Sequence, residues 1–537
     1  WLEKYGTLAA LGSSQEDHIR FGRHQAGLLD ALLAAQPEAT CDATFRRVRD
    51  ELRAFESIRP AEPAAGFIGA LRPYQKEGLG WLAFLQRFGF GGCLADDMGL
   101  GKTVQVLAML EARREAREAQ KPGSPAAIGP SLAVVPRSLI FNWKQEALRF
   151  TPKLRVLDHT GLTRRRGAPD FEAWDLVLTT YGTVRRDIAH LKNVMFDCAI
   201  LDEAQAIKNS EAQTAKAVRL LQCRHRLALS GTPVQNHLGE LWSLFEFLNP
   251  GMLGAASVFR LTEAAGRDPS PETRVLLARA LRPFILRRTK GQVARDLPER
   301  TEETQFCELD KNQRQLYDHL RDHYRQALAG HVERLGLNRS KILIIEALLR
   351  LRQAACHPGL IDPARAQEPS AKLEALIPQL AEVTEEGHKA LVFSQFTSFL
   401  SIVRARLDAA GVRYQYLDGR TRDRETPVRK FQEDPDCRLF LVSLKAGGLG
   451  LNLTAAEYVF LLDPWWNPAI EAQAIDRAHR IGQTRHVFAY RLIAANTVEE
   501  KVLELQKTKK DLADSIINAD NSLIRTLRRE DLELLLS

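Results

Sequence analysis

From residue 90 onward, short β-rich runs with apolar stretches at their centres alternate with longer helical stretches. In the first half the runs are "SLAVVP" (131–136), "LRVLDHTG" (154–161), "DLVLTTY" (175–181), "FDCAILDEA" (196–204) and "HRLALSGTP" (225–233). The second half repeats the scheme with "ALVFSQF" (390–396), "RYQYLDG" (413–419), "RLFLVSL" (438–444), "YVFLLDP" (458–464) and "HVFAYRLI" (486–493). A strand that is apolar at successive positions is buried on both faces, which requires helices on each side of a parallel sheet. The pattern therefore predicts an α/β chain with two such lobes. A length of 537 residues agrees, being too great for one hydrophobic core to serve.

The expected boundaries are a helical segment at 1–66 with no assigned chemistry, a first lobe at 67–298 and a second at 299–515. A tail at 516–537 completes the chain. Between the two runs of strands, over about 235–375, the pattern turns helical and basic, which predicts helical insertions near 235–285 and 310–370. "ARALRPFILRRTKGQVARD" concentrates Arg279, Arg282, Arg287, Arg288, Lys290 and Arg295 there, and each is expected on a solvated face. "QKPGSPAAIGP" (120–130) reads as a surface loop from its proline and glycine content.

Bulk properties exclude several classes. Hydrophobic residues make up 45% and charged residues 26%, an ordinary globular balance. No run of roughly 18 uncharged apolar residues is present, so no membrane-spanning helix is expected. The chain opens on Trp1 without a signal pattern, and a further region upstream is expected. The 7 cysteines (Cys41, Cys93, Cys198, Cys223, Cys307, Cys356, Cys437) form no C-x-x-C pair, which argues for reduced thiols in a cytosolic protein. Cys356 and His357 in "ACHP" are expected in the core, not on a metal. A formal charge of +8 is compatible with a polyanionic partner, but 75 basic against 67 acidic residues is a mild excess.

"LADDMGLGKT" (94–103) ends as a phosphate-binding loop does, although Asp96 stands where the usual pattern has its first glycine. Such a loop needs inward backbone N–H groups, a cation for the β- and γ-phosphates, and a hydroxyl for Mg²⁺. Asp97, Met98, Gly99, Leu100 and Gly101 would supply the backbone cradle, Lys102 the cation and Thr103 the hydroxyl. The helix beginning there aims its N-terminal dipole at the anion. Alone, G-x-G-K-T also arises by chance. The acidic pair of "AILDEAQ", directly after an apolar strand in the same lobe, decides for a working site. Asp202 is placed to hold Mg²⁺ and Glu203 to orient and deprotonate water.

Far downstream, "QAIDRAHRIGQT" (473–484) carries Arg477 and Arg480, three apart and so expected on one helix face. Arginines that reach a γ-phosphate assist its transfer. If these come from the second lobe, the site is complete only when the lobes close.

Taken together, these segments resemble the Swi/Snf-type helicase-like ATPases of superfamily two, double-stranded DNA translocases that include chromatin remodellers. The resemblance covers about residues 67–515 and implies two RecA-like lobes of P-loop NTPase type. It casts Gln75 of "LRPYQKEGLGWL" (71–82) as an adenine contact, and makes the acidic start of "DDMGLGKT" a family trait. "VVPRSLIFNWKQE" (134–146) resembles the first DNA-contacting motif, with Arg137, Ser138 and Asn142 as candidates. "DEAQAIKN" (202–209) is similar to the hydrolysis motif. "LSGTPVQN" (229–236) resembles the element that couples nucleotide state to lobe movement, through Ser230, Gly231 and Thr232.

In the second lobe "LVFSQF", "YLDGRT" and "SLKAGGLGLNL" resemble DNA-backbone contacts, at Thr421, Lys445 and Gly448. "DPWWNPAIEAQAIDRAHRIGQT" (463–484) carries the arginine fingers over to Arg477 and Arg480 and casts Gln473 as a γ-phosphate neighbour. "LLRLRQAACHP" (348–358) resembles the helical insertion and "TVEEKVLELQKTKKDL" (497–512) the brace helix. The run after Thr421 is shorter than in many eukaryotic remodellers, which leaves Arg424 without a role. Compact insertions and "DEAQ" look more like prokaryotic members, implying a cytoplasmic, nucleoid-associated protein; a eukaryotic one would be nuclear.

The resemblance implies ATP and Mg²⁺ as cofactors and double-stranded DNA as partner, gripped through phosphates with little sequence preference. A DNA-bound protein would be the object moved or displaced. A strand-separating helicase, an RNA-polymerase-recycling ATPase of the same family and an inactive nucleotide-sensing scaffold are the rival readings. Trp466 of "WWNP" is expected in the core, with a contact to DNA as the second reading.

Overall fold

The computed structural model describes residues 13–15, 18–20, 25, 29–30, 46, 59–120, 128–161, 171–231, 238–253, 280–294, 297–335, 340–421, 423–447, 451–465 and 468–504. The chain divides into two compact units, Trp1–Arg295 and Asp296–Ser537.

Unit one is built on a 7-stranded sheet. Its strands are β3 (Gly92–Leu94), β4 (Ser131–Val135), β5 (Val156–Asp158), β6 (Leu176–Thr180), β7 (Met195–Leu201), β8 (Gln222–Leu229) and β9 (Ile285–Leu286). They lie in the order β5-β6-β4-β7-β8-β3-β9 and every pair is parallel. Helices α1 (Pro73–Phe88), α2 (Lys102–Glu118), α3 (Ile140–Phe150), α4 (Tyr181–Leu191), α5 (Gln213–Arg219) and α6 (Leu238–Leu248) pack on it.

The apolar runs do what their composition dictates. Along β4, Ala133 and Val135 enter one core cluster while Leu132 and Val134 enter another on the opposite face. Both faces are therefore covered, and each fully buried branched side chain contributes about 1.5–3 kcal/mol against exposure.

Unit two holds a 6-stranded parallel sheet. Its strands are β10 (Arg300–Cys307), β11 (Ala390–Ser394), β12 (Tyr414–Leu417), β13 (Leu439–Ser443), β14 (Tyr458–Leu461) and β15 (Val487–Ala494), in the order β10-β15-β14-β11-β13-β12. Again the sides alternate: Leu439 and Leu441 of β13 join one cluster, Phe440 and Val442 the other. Helices α7 (Lys311–Leu335), α8 (Lys341–Cys356), α9 (Ala371–Glu385), α10 (Thr397–Ala409), α11 (Glu425–Glu433) and α12 (Pro468–Ile475) complete it. The α/β class with two parallel sheets is thus as the alternation predicts.

Four expectations are corrected. Within 1–66, which reads as helical, helical residues occur at 29, 30 and 46, but the paired structure is an antiparallel couple, β1 (Ser13–Gln15) with β2 (His18–Arg20). Second, over 235–375, where the pattern turns helical and basic, strands β9 and β10 fall between the two expected insertions. Strand β10, "RTEETQFC", is a polar edge strand, mostly exposed, and so lacks the apolar signature of its neighbours.

Third, Arg288 is not on a solvated face. It is buried, while Arg282 and Arg287 are exposed as expected; Arg279 and Arg295 lie outside the described residues. Fourth, α12 ends at Ile475, so Arg477 and Arg480 follow it in irregular turns instead of sharing a helix face.

Cys356 and His357 are both fully buried. The beginning of the expected brace helix is described: residues 498–504 are helical, and Glu499 pairs with Lys372 at 2.6 Å with both side chains buried. Residues 505–512, the tail 516–537 and most of the loop 120–130 lie outside the described residues. No described helix is long and apolar enough to cross a membrane.

Candidate active site

Parallel strands deliver their C-terminal ends to one edge of the sheet, where binding residues on the following loops converge. In unit one the central strands β7, β8 and β3 are neighbours. The loop after β3 is the expected phosphate loop. Gly99 and Gly101 have φ of 85° and 72°, left-handed conformations that a side chain would resist. A Cβ on Gly101 would also come within 2.6 Å of Gln75 Nε2. Helix α2 then starts at Lys102, with Gly101 as its N-cap.

The Lys102 ammonium donates to the carbonyls of Asp96 at 2.6 Å and Asp97 at 3.3 Å. Burial pushes its pKa below the ordinary lysine range, against the pull of Glu203, Asp96, Asp202 and Asp97. Thr103 is half-buried in the first turn of α2. Gln75, buried on α1, accepts from the Arg72 N–H at 2.9 Å and donates to the Leu100 carbonyl at 3.2 Å. Tyr74 adds a hydroxyl bond to the same carbonyl at 2.9 Å. The loop is thereby tied to α1 at the residue expected to meet adenine.

Asp202 follows β7 and is buried. Its backbone N–H donates to Val134 at 2.9 Å, and its carbonyl accepts from the Tyr181 hydroxyl at 2.7 Å. One carboxylate oxygen accepts from the Trp143 indole N–H at 2.8 Å and the other from the Glu203 N–H at 2.9 Å. Burial first, then the adjacent Glu203 charge, raise the Asp202 pKa to about 7; the Trp143 bond and Lys102 act the other way. Glu203 adopts φ 49°, ψ 58°, a left-handed conformation uncommon for a non-glycine residue. Such strain costs on the order of 1–3 kcal/mol and concentrates at functional positions. Gln205 Nε2 donates to its carboxylate at 2.7 Å.

The third loop, after β8, begins with Ser230, whose N–H donates to Leu94 at 3.1 Å. A Cβ on Gly231 would lie 2.6 Å from Met98 Cγ and 3.8 Å from Lys102 Nζ, so this segment abuts the phosphate loop. Thr232 lies outside the described residues.

Asp96, at the position of the missing glycine, has a defined job in the structure. Its buried carboxylate receives Arg288 Nε at 3.0 Å, Nη2 at 2.6 Å and the Arg288 backbone N–H at 3.1 Å. Arg288 also donates to Gln105 Oε1 at 2.9 Å and to the Tyr74 carbonyl. A buried acid needs such partners, and the sequence signal was the acid itself, standing where glycine is usual. Trp143 was equally unforeseen; the cue is a tryptophan on the buried face of α3, since a buried indole N–H seeks an acceptor.

Of the expected DNA contacts, Arg137 is exposed just past β4 and Asn142, on α3, donates to Glu146 at 3.0 Å. Ser138 lies in the same short turn. In unit two, Thr421 closes a tight turn with Asp418, accepting from its N–H at 3.0 Å and donating to its carboxylate at 3.1 Å. Arg424 donates to the Thr421 carbonyl at 3.4 Å. Lys445 falls in the single helical turn 444–447; Gly448 and Trp466 lie outside the described residues. Gln473 is on α12, Arg477 is buried beyond it and Arg480 is half-buried. The structure therefore gathers Gln75, residues 97–103, Asp202, Glu203, Ser230 and Gly231 in unit one, while Gln473, Arg477 and Arg480 belong to unit two.

Residues 74–360 match the SNF2-related domain and residues 371–482 the helicase conserved C-terminal domain. A putative ATP-dependent helicase/translocase of Bacillus subtilis, YwqA, is 38% identical over 95% of this chain and 56% of its own length. The TATA-binding protein-associated factor MOT1 of Saccharomyces cerevisiae is 36% identical over 89% of this chain and 29% of its own. The Sulfolobus solfataricus SWI2/SNF2 ATPase core in complex with double-stranded DNA aligns with a TM-score of 0.43 at 34% identity, covering 89% of this chain and 99% of that one. The chain thus spans little more than half the length of the first of these relatives and less than a third of the second. With more than half of its residues inside one family model, this chain belongs to the SNF2-related family of helicase-like proteins.

Proposed function

We propose that the chain is a DNA-dependent ATPase that hydrolyses ATP to move along double-stranded DNA and to remodel or displace protein–DNA complexes. The observation that carries this reading is the convergence at one sheet edge of the Lys102 loop, the Asp202–Glu203 pair and the Ser230–Gly231 segment. The donors also suit Mg²⁺: a threonine hydroxyl and a carboxylate are the hard oxygen ligands it prefers. Thr103 and Asp202 would hold the ion, which when bound neutralises charge on the phosphates.

The rest is the work of this chain's own groups. Of residues 97–101, Met98, Gly99 and Gly101 would present backbone N–H groups to phosphate, those of Asp97 and Leu100 being taken by the Arg288 and Asp97 carbonyls at 3.0 and 3.4 Å, and Lys102 sets a cation beside the transferred group. Glu203 orients the attacking water and takes its proton. Arg477 and Arg480 would serve as arginine fingers for the transferred group, with Gln473 as a γ-phosphate neighbour. Ser230, Gly231 and Thr232 pass the nucleotide state on. Arg137, Ser138 and Asn142 in the first lobe, and Thr421, Lys445 and Gly448 in the second, would grip phosphates without reading bases. Relatives carrying the names of a helicase/translocase and of a TATA-binding protein-associated factor support a motor acting on DNA-bound protein.

ATP turnover measured with duplex DNA, single strands and RNA tests the reading. Strong stimulation by duplex, with binding that weakens steeply as salt rises, is expected. No stimulation by duplex DNA overturns it.

A further inference from the structure

We infer that Trp143 is a positioning residue for the proposed hydrolysis site: its indole N–H sets the Asp202 carboxylate and so ties the attitude of helix α3 to metal binding. The inference deepens the proposed function and rests on Asp202 serving the metal.

The two residues are 59 positions apart and meet because β4, from which α3 is hung, lies directly beside β7, which ends at Asp202. Val134 pairs with Leu201, and the Asp202 N–H donates to the Val134 carbonyl at 2.9 Å. With Tyr181 on its carbonyl as well, the Asp202 backbone is fixed from both sides. What remains free is the rotation of its carboxylate. One oxygen is set by the neighbouring Glu203 N–H, a local contact that travels with the loop. The other is set by Trp143, and among the described residues this is the one side chain that donates to that carboxylate.

Core filling alone would not select this arrangement. Trp143 is wholly buried in the first lobe's core, a duty that an apolar ring system of the same outline would perform without an N–H. The N–H, directed at a buried acid at 2.8 Å, is what a tryptophan adds. A hydrogen bond tolerates a displacement of only a few tenths of an ångström before it weakens. A shift of α3 along its axis is therefore felt at Asp202. That helix begins immediately after the short turn that carries the exposed Arg137, part of the first lobe's expected phosphate grip. Partners behind a metal ligand tune affinity in this way, and their loss typically costs about 10–100-fold.

Two replacements test the inference. Trp143→Phe removes the donor and keeps an aromatic ring. The benzothienyl analogue of tryptophan, installed at position 143 alone, exchanges N–H for sulfur in the same outline and guards against misfolding of the first variant. Mn²⁺ binding to the protein loaded with a non-hydrolysable ATP analogue, followed by electron paramagnetic resonance, is the readout that does not use turnover.

At least ~10-fold weaker Mn²⁺ binding is expected in both proteins, with duplex affinity unchanged. In kinetics the Mg²⁺ concentration for half-maximal turnover rises and the gain from duplex DNA shrinks, through kcat more than through the KM for ATP. Wild-type Mn²⁺ affinity in the analogue protein overturns the inference. Should duplex DNA fail to stimulate even the unaltered protein, the proposed function falls and the tie to DNA with it, while the Mn²⁺ arm still decides whether Trp143 positions Asp202.

Discussion

Removing the Arg288 side chain should destabilise the first lobe strongly. Its guanidinium meets the buried Asp96 carboxylate through Nε at 3.0 Å and Nη2 at 2.6 Å, and lies 5.0 Å from the centre of the Tyr74 ring. In Arg288→Met the apolar stem persists, but Asp96 keeps only the backbone N–H at 3.1 Å and Gln105 Nε2 at 3.3 Å. Breaking a buried pair from one side costs about 3–5 kcal/mol, because the surviving charge stays desolvated. For a domain of this size each kcal/mol lowers Tm by roughly 2–4 °C, so a fall of about 10 °C is expected. Thermal unfolding followed by tryptophan fluorescence reports the fall, and urea unfolding the free energies, since Trp81 and Trp143 are both buried in this lobe. In Asp96→Ala/Arg288→Met both charges are gone, and most of the loss should be recovered. A double-mutant cycle whose coupling is below about 0.5 kcal/mol would refute the reasoning.

Further consequences can be measured. Glu203→Gln keeps the shape but cannot accept a proton; ATP binding should persist while turnover falls about 10²–10⁴-fold, and unchanged turnover removes Glu203 from its role. Burial lowers the His357 pKa from the ordinary 6.5 to about 4. The unfolded chain then takes up a proton below about pH 6.5 that the native ring refuses until about 4. This contribution, up to about 3 kcal/mol, is complete above pH 6.5 and is lost as pH falls towards 4. His357→Gln should flatten that part of the stability–pH curve, and an unaltered slope counts against the assignment. In the second lobe Lys372 and Glu499 are fully buried partners. Lys372→Met should cost about 3–5 kcal/mol, and Lys372→Met/Glu499→Gln markedly less, by the same cycle.

What the sequence by itself determined is whatever depends on residues close in the chain. Strands buried on both faces are apolar at successive positions over most of their length, so β4, β6, β11 and β13 were legible as runs. The phosphate loop was legible because Gly99, Gly101, Lys102 and Thr103 act within one turn of backbone, and the Asp202–Glu203 pair because it terminates a strand. Edge strand β10 escaped, since an exposed strand has no need of an apolar run.

Tertiary structure alone decided which distant groups meet. Strand order set β4 beside β7 and brought Trp143 to Asp202. Pairing of β3 with β9 brought Arg288, 192 residues away, onto the acid that replaces a glycine. In unit two, α12 stops at Ile475, ahead of Arg477, where a three-residue spacing had implied a common helix face. The physical reason is the same in each case: hydrogen bonds and ion pairs are short-ranged in space and indifferent to separation along the chain, so their partners emerge only once the sheets have assembled.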